Sequence, residues 1–188
     1  MRKVKVMPTD YVTETYAMLD RGGLLLSTSG KNEKLNVMTI GWGLVGILWY
    51  NPTFAVAVRP TRYTYRLLEE SNEFTVNVPS GGMEKVIEYC GNVSGRDHDK
   101  FREMNLTPLP GRRVKSPMIS ECVVHYECNV IYKTKIKIGH LPKEIVSKYY
   151  PSKDYHTLYI GEILSVLADK DAKEKLSPLS PLSSERAV

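Results

Sequence analysis

The sequence predicts a mainly β protein, an antiparallel barrel carrying short helical insertions. Period-two alternation recurs, with Phe54, Val56 and Val58 set against Thr53, Ala55 and Ala57, and Phe74, Val76 and Val78 against Thr75 and Asn77. That is the mark of strands with two unlike faces. Turns containing Gly and Pro separate the strand segments, and the helical stretches between them are short. Strands and helices do not alternate regularly and no G-x-G-x-x-G follows a strand, which argues against a doubly wound dinucleotide sheet.

Each element follows in chain order. Residues 9–19 form a short helix capped by Thr9 or Asp10, with Val12, Tyr16 and Leu19 on one side. After Gly22-Gly23, Leu24 to Thr28 reads as a buried strand, and Lys31-Asn32-Glu33-Lys34 turns the chain back. Val37 to Tyr50 is apolar but holds Gly41, Gly43 and Gly46, which implies corners or close approach of a ligand to the backbone. Asn51-Pro52 ends that segment, and the next strand has one face of small residues that leaves room for something flat. Thr64 to Ser71 and Met83 to Tyr89 are helices, and a third begins near Ser94-Gly95-Arg96-Asp97, with Asp97 or Asp99 as its cap. Pro108, Pro110, Gly111 and Pro117 mark a surface connection over 106–118. Glu121 to Lys137 is the longest strand pattern, Leu141 to Tyr150 is helical, and His156 to Ala168 closes the barrel with Leu158, Ile160 and Ile163 inward and a bulge at Gly161. A single domain over 1–168 is followed by a polar tail or dimer arm over 169–188, where Ser177-Pro178-Leu179-Ser180-Pro181 cannot order alone.

Composition excludes several classes. The 188 residues suit one domain, 42% hydrophobic and 25% charged. No apolar run reaches the roughly 18 residues of a membrane span, and the basic start at Met1-Arg2-Lys3 leads into polar sequence rather than a signal core. A cytoplasmic protein without a membrane partner is expected. Three cysteines give no disulfide framework. The net charge of +5 comes from scattered Lys and Arg, which speaks against nucleic acid and suits any anionic ligand.

Function concentrates between two strands, in V-R-P-T-R-Y-T-Y-R over 58–66. Arg59, Arg62 and Arg66 with Thr61 and Thr64 present planar forks and hydroxyls beside a helix start, where free amides add donors. Such a set suits a phosphate-bearing cofactor, although it also describes a solvated helix entrance.

The assembled motifs resemble the flavin reductase-like, FMN-binding split-barrel family that includes flavoredoxins and archaeal ferric reductases. The matching pieces are N-x-M-T-x-G-W at 36–42, V-R-P-T-R-Y-T at 58–64, F-T-V-N at 74–77, C-G-x-x-S-G-R-x-x-D-K-F at 90–101 and H-T-L-Y-I-G-E at 156–162. The resemblance implies a Greek-key split barrel, a homodimer, noncovalent FMN near the subunit interface and redox chemistry on the flavin. It assigns the phosphate to Arg59, Pro60, Thr61, Arg62, Tyr63 and Thr64 and to Ser94, Gly95 and Arg96, with Lys100 one helical turn further on. Asn36, Val37, Met38 and Thr39 would meet the ring edge and Asn77 the ribityl chain or ring. His156, in a family position where Tyr155 replaces an Asp, is either a hydrogen-bonded structural residue or the seat of a nicotinamide.

Two functions follow from the resemblance. One is an NAD(P)H-dependent reductase that passes electrons to a flavin, ferric iron or a protein. The other is a flavoredoxin-type carrier without its own NAD(P)H activity. No metal is expected: along a strand Cys122 and Cys128 share a face opposite His125, and no further ligands converge with them. Cys90, Trp42 and Trp49 read as core residues.

Overall fold

The computed structural model describes residues 3–31 and 34–176. Its elements run β1 (Lys3–Val6), α1 (Val12–Arg21), β2 (Leu24–Ser29), β3 (Leu35–Ile40), β4 (Gly43–Leu48), β5 (Asn51–Val58), α2 (Tyr63–Ser71) and β6 (Glu73–Val78). They continue with α3 (Glu84–Asn92), α4 (Lys100–Glu103), β7 (Pro108–Leu109), β8 (Met118–Ile119), β9 (Val124–Lys135), α5 (Lys143–Tyr149), β10 (Thr157–Asp169) and α6 (Ala172–Leu176), with a single 3₁₀ turn at Ile138–His140. The predicted mainly β architecture with short helices is what forms.

All pairings in the main sheet are antiparallel, in the order β3-β2-β6-β9-β10-β5-β4. β10, slightly longer than β9, is the hub. One edge pairs with β9, while the other pairs first with β5 (Thr157–Glu162) and then with β1 (Val166–Asp169). Register shifts at Ile160/Gly161 and Ile163/Ser165 let it bend between these partners. Gly161 is required there, because a Cβ would stand 2.7 Å from the Phe74 ring and 2.8 Å from Cys128.

Along β10 Tyr159, Gly161 and Ile163 are buried in regular alternation, whereas Leu158 and Ile160, expected inside, are half-exposed. The barrel core joins Phe54, Phe74, Tyr126 and Tyr159, with Phe54 and Tyr126 edge to face at 5.4 Å. A second core lies outside the sheet, where Leu25 and Val37 meet Met83, Cys90, Phe101 and Ile119. Helices α3 and α4 thereby hold β3, an end strand, from its outer side.

Several local expectations change. Helix α1 starts at Val12 without a side-chain cap, buries Thr15 and Met18, and leaves Tyr16 62% exposed. Asp10 instead accepts from the Met7 amide. Asn51-Pro52 opens β5 rather than closing the preceding strand, the turn being Trp49-Tyr50. Asp99 caps α4. Cys122 precedes β9 and packs in the outer core while Cys128 faces the barrel core, so the two thiols do not share a face. Strand β1 was not anticipated. The tail was expected from 169, yet Asp169 ends β10 and is ion-paired to Lys3 at 2.9 Å, while Ala172 and Leu176 pack into the barrel core. Ser177 to Pro181 lie outside the described residues, as does part of the 31–34 turn. Among the described residues no helix is long and apolar enough to cross a membrane.

Candidate functional site

Two adjoining cavities lie along β3. The first, about 250 Å³, is walled by Asn36 and Met38, by the β5–α2 turn from Thr61 to Thr64, and by the α3 end through Arg96 and Lys100. The second, about 180 Å³, runs from Met38 through Trp42 to Ala57, Arg59 and His156. Met38 and Arg62 belong to both. Residues 38–40 alternate faces along β3, so a cavity touching all three lies at the strand's edge rather than against one face.

The first cavity is a cationic cradle. Arg62 donates to the Gly91 carbonyl at 3.1 Å and Arg96 to the Thr61 carbonyl at 3.0 Å, so the two loops cross-link each other. Arg96 also lies over the Tyr63 ring, 5.8 Å from its centre. The Asn36 amide donates to Thr64 Oγ1 at 2.7 Å. A Cβ at Gly95 would sit 2.0 Å from Asn36 Oδ1, so any side chain there would have to displace the Asn36 amide. Lys100 is only 4% exposed and its ammonium donates to the Cys90 carbonyl at 2.9 Å. Burial pulls its pKa down to about 8, with Cys90 opposing that shift and Arg62 adding to it. Among the described residues, none of the side chains lining either cavity is a carboxylate. A buried cation beside two guanidiniums with no acid in reach is an electrostatic deficit that an anion would fill.

The second cavity sets aromatic rings beside Arg59 and Arg62. His156, 9% exposed, shares a 3.0 Å hydrogen bond between Nδ1 and the Tyr150 hydroxyl, and its ring lies 4.6 Å from Trp42. Burial and then Arg59 hold the imidazole down at about 4, with Asp154 opposing and Arg62 adding, so it is neutral near pH 7. Arg59 donates to the carbonyls of Asp154 and Tyr149 at 3.0 and 2.8 Å and fastens the α5–β10 loop to the cavity wall. Thr61 adds a 2.5 Å bond to the Asp154 carboxylate. Gly41 has open space where a Cβ would be.

The structure therefore gathers most of the predicted residues. Asn36, Thr61, Arg62, Tyr63 and Thr64 meet Ser94, Gly95, Arg96 and Lys100 in the first cavity, and Thr39, Arg59 and His156 lie in the second. Arg96 and Lys100 do not share a helix, because a turn at 94–97 separates Arg96 from α4. Three do not line either cavity. The Val37 side chain is wholly buried in the outer core, and Pro60 only shapes the turn between Arg59 and Thr61. Asn77 is 0% exposed and saturated: its amide donates to Ser27 and the Leu25 carbonyl, and its Oδ1 takes the Ile119 amide and faces His125 Nδ1 at 2.8 Å. It is a core fastener and not a ligand contact. Arg66 points away and pairs with Glu70 at 3.0 Å. Trp42, expected in the core, is 39% exposed and lines the cavity. Its place in N-x-M-T-x-G-W was the available signal. Cys90 and Gly91 were likewise missed as lining, although burial pushes the Cys90 thiol up to about 11, against the pull of Lys100, and leaves it unreactive.

The family model described as flavin reductase-like domain matches residues 19–182. The flavoredoxin of Desulfovibrio vulgaris (Miyazaki F) is 30% identical, with 79% of this chain and 70% of that chain covered and a TM-score of 0.65. An FMN-binding domain of a flavin reductase-like enzyme from Shewanella baltica, 19% identical over 89% of this chain and 78% of that one, superposes with a TM-score of 0.63. A putative flavin reductase with a split-barrel domain from Shewanella frigidimarina, 16% identical over 88% and 77%, gives 0.65. The last two establish the split-barrel fold alone.

Proposed function

The chain belongs to the flavin reductase-like family, and from that premise we propose that it is an FMN-dependent oxidoreductase acting on NADH or NADPH, with a flavin, ferric iron or a protein as second acceptor. When bound, FMN supplies the two-electron chemistry. The chain's own residues bind and orient. Arg62, Arg96, Lys100 and Thr64 would hold the phosphate, since forked and point cations with hydroxyls satisfy its oxygens. Thr39 and Met38 on the β3 edge would meet the ring, and the neutral His156 with Trp42 would keep its neighbourhood dry and seat a nicotinamide without exchanging a proton.

One observation carries the reading: Lys100 is buried in a cavity walled by Arg62 and Arg96 and its ammonium meets a carbonyl in place of an acid. Anaerobic mixing of the FMN-loaded protein with NADH or NADPH tests the enzyme. Bleaching of the flavin absorbance is expected with at least one of them. Retained colour with both would favour an electron carrier, a reading supported by the 30% identity to a flavoredoxin.

The partner in assembly is a second copy. End strand β4 leaves Leu44 70% and Ile47 68% exposed, and Trp49 and Tyr50 project from the hairpin at its tip. Such a flat apolar edge invites coverage by another chain. Sedimentation at micromolar concentration should give twice the chain mass.

A further inference from the structure

Helix α5 is an element that its own chain leaves uncovered. None of its residues is buried, and the nearby apolar side chains Ile138, Ile145 and Tyr149 are 54, 40 and 39% exposed. Over residues 137–153 the chain carries four lysines, Lys137, Lys143, Lys148 and Lys153, against one carboxylate, Glu144. All five are exposed. Asp154, the next residue, is turned aside to accept from Thr61. This one segment therefore holds three of the five net positive charges of the protein.

So short a helix is marginal without tertiary support, and here the support comes at its C-terminal end. Arg59 donates to the Tyr149 carbonyl at 2.8 Å, and the following Tyr150 is only 3% exposed. That end is also the rim of the second cavity. Tyr149 stands edge to face on Trp42 at 5.3 Å, and the Trp42 ring lies 4.6 Å from His156. The lysine-bearing surface and the cavity are thus joined through two aromatic rings in contact. Apolar side chains bordered by lysines have the make-up of a docking patch, the apolar part giving contact and the charges giving orientation. Transient redox encounters bury less than roughly 1,200 Å², so one helix with its flanking turns is large enough.

We infer that α5 and its flanking lysines dock an acidic protein carrying a one-electron redox centre, which exchanges electrons with the bound flavin by way of Tyr149 and Trp42. The inference rests on the flavin reading above and deepens it, naming the chemistry of the partner and the place where it docks. Two equivalents of the partner each take one electron from the reduced flavin and are themselves reduced, while the protons given up pass to water. The reverse flow balances in the same way. A second copy of this chain is the poorer occupant, since each copy carries a net charge of +5 and repels its like.

NMR titration of the isotope-labelled, FMN-loaded full chain with a small acidic plant-type ferredoxin tests it, with cytochrome c as a basic one-electron protein for comparison. Ferredoxin should perturb the amides of α5 and its flanking turns. The complex should weaken at least about tenfold as ionic strength rises from about 0.01 to about 0.3 M. Cytochrome c should leave the same amides unmoved. Lys143→Glu combined with Lys148→Glu should weaken ferredoxin binding at least about tenfold and keep FMN affinity within about twofold. Lys85→Glu combined with Lys173→Glu, at exposed lysines of α3 and α6, makes the same change in net charge and should weaken ferredoxin less than about threefold. The proposal is overturned if ferredoxin forms no complex at low ionic strength, if the perturbed amides lie away from α5, or if both double variants weaken it equally. Equal binding of cytochrome c overturns it too. So does perturbation of the α5 amides by vesicles of anionic lipid and not by ferredoxin, which would make the patch a membrane contact. Each of these results leaves the flavin reading standing, whereas failure of FMN to load the chain removes that reading before any partner is added.

Discussion

The Lys100 ammonium donates to the Cys90 carbonyl at 2.9 Å, and both residues are buried at the cradle wall. The carbonyl orients the cation without neutralising it, and burial has already brought its pKa to about 8. A bound phosphate would favour the charged form and raise that value. The protonated protein is therefore the tighter binder, and binding takes up a proton on the alkaline side of about 8. FMN affinity should be greatest near pH 7, where the phosphate dianion predominates, and fall as pH rises through about 8, by no more than about tenfold per pH unit. Lys100→Met should bind more weakly and lose this pH dependence. An unchanged alkaline slope in that variant would assign the titration elsewhere.

Gly95 makes a second prediction because its lack of a side chain is what lets Asn36 reach Thr64. In Gly95→Ala the methyl would displace the Asn36 amide, and the 2.7 Å bond to Thr64 would be lost. The expected cost in stability is about 1 kcal/mol, with FMN binding weakened about tenfold through the disturbed cradle. Thermal melting with and without FMN checks both. An Ala variant that melts and binds like the native chain would show that Asn36 has other room.

His156 is placed to act as a neutral ring. Its pKa, lowered to about 4 by burial and then by Arg59, means that the imidazole carries no charge between pH 5 and 8. The pH profile of kcat/KM for the nicotinamide should show no step near the ordinary histidine value. Replacing Tyr150 with Phe removes the 3.0 Å bond that orients the ring and should raise KM more than it lowers kcat. A step near pH 6.5 that disappears in His156→Gln would contradict this account.

How much of this was legible follows from what a sequence period can report. The alternation in β5 and β6 identifies two faces of a strand but does not say which meets a cavity. Asn77 and Asn36 both look like polar residues on half-buried strands. Asn77 belongs to β6, covered on both sides by β2 and β9, so its amide is used internally. Asn36 belongs to the end strand β3, where an edge is free. Only topology separates them. The Arg and Thr of the β5–α2 turn and the Ser94-Gly95-Arg96 segment were readable because their chemistry is local and their residue types unusual together. Strand β1 was not, since four residues acquire their role only from the far end of β10. Trp42 was misplaced because an aromatic beside glycines reads as core until the chain is seen to break between β3 and β4.

The hairpin joining β4 to β5 gives the last prediction. Trp49 and Tyr50 adopt φ of 52° and 62°, left-handed values at both central positions. Such a two-residue turn favours Asn-Gly, and bulky residues there carry strain of roughly 1–2 kcal/mol each. Trp49 recovers part of this through an edge-to-face contact with Tyr132 at 6.1 Å. Tyr50 is 100% exposed, so its ring recovers nothing by burial within its own chain. A strained, solvated aromatic at the tip of an apolar edge makes sense if a second copy covers it. Tyr50→Gly should then raise the stability of the isolated chain, measured by urea unfolding at low concentration, by about 1 kcal/mol. The same variant should weaken self-association about tenfold in sedimentation equilibrium. The two effects have opposite signs and separate strain from contact. A gain in stability with unaltered association would place the dimer surface elsewhere, and a loss of stability in the monomer would mean that the turn holds Tyr50 for reasons internal to the chain.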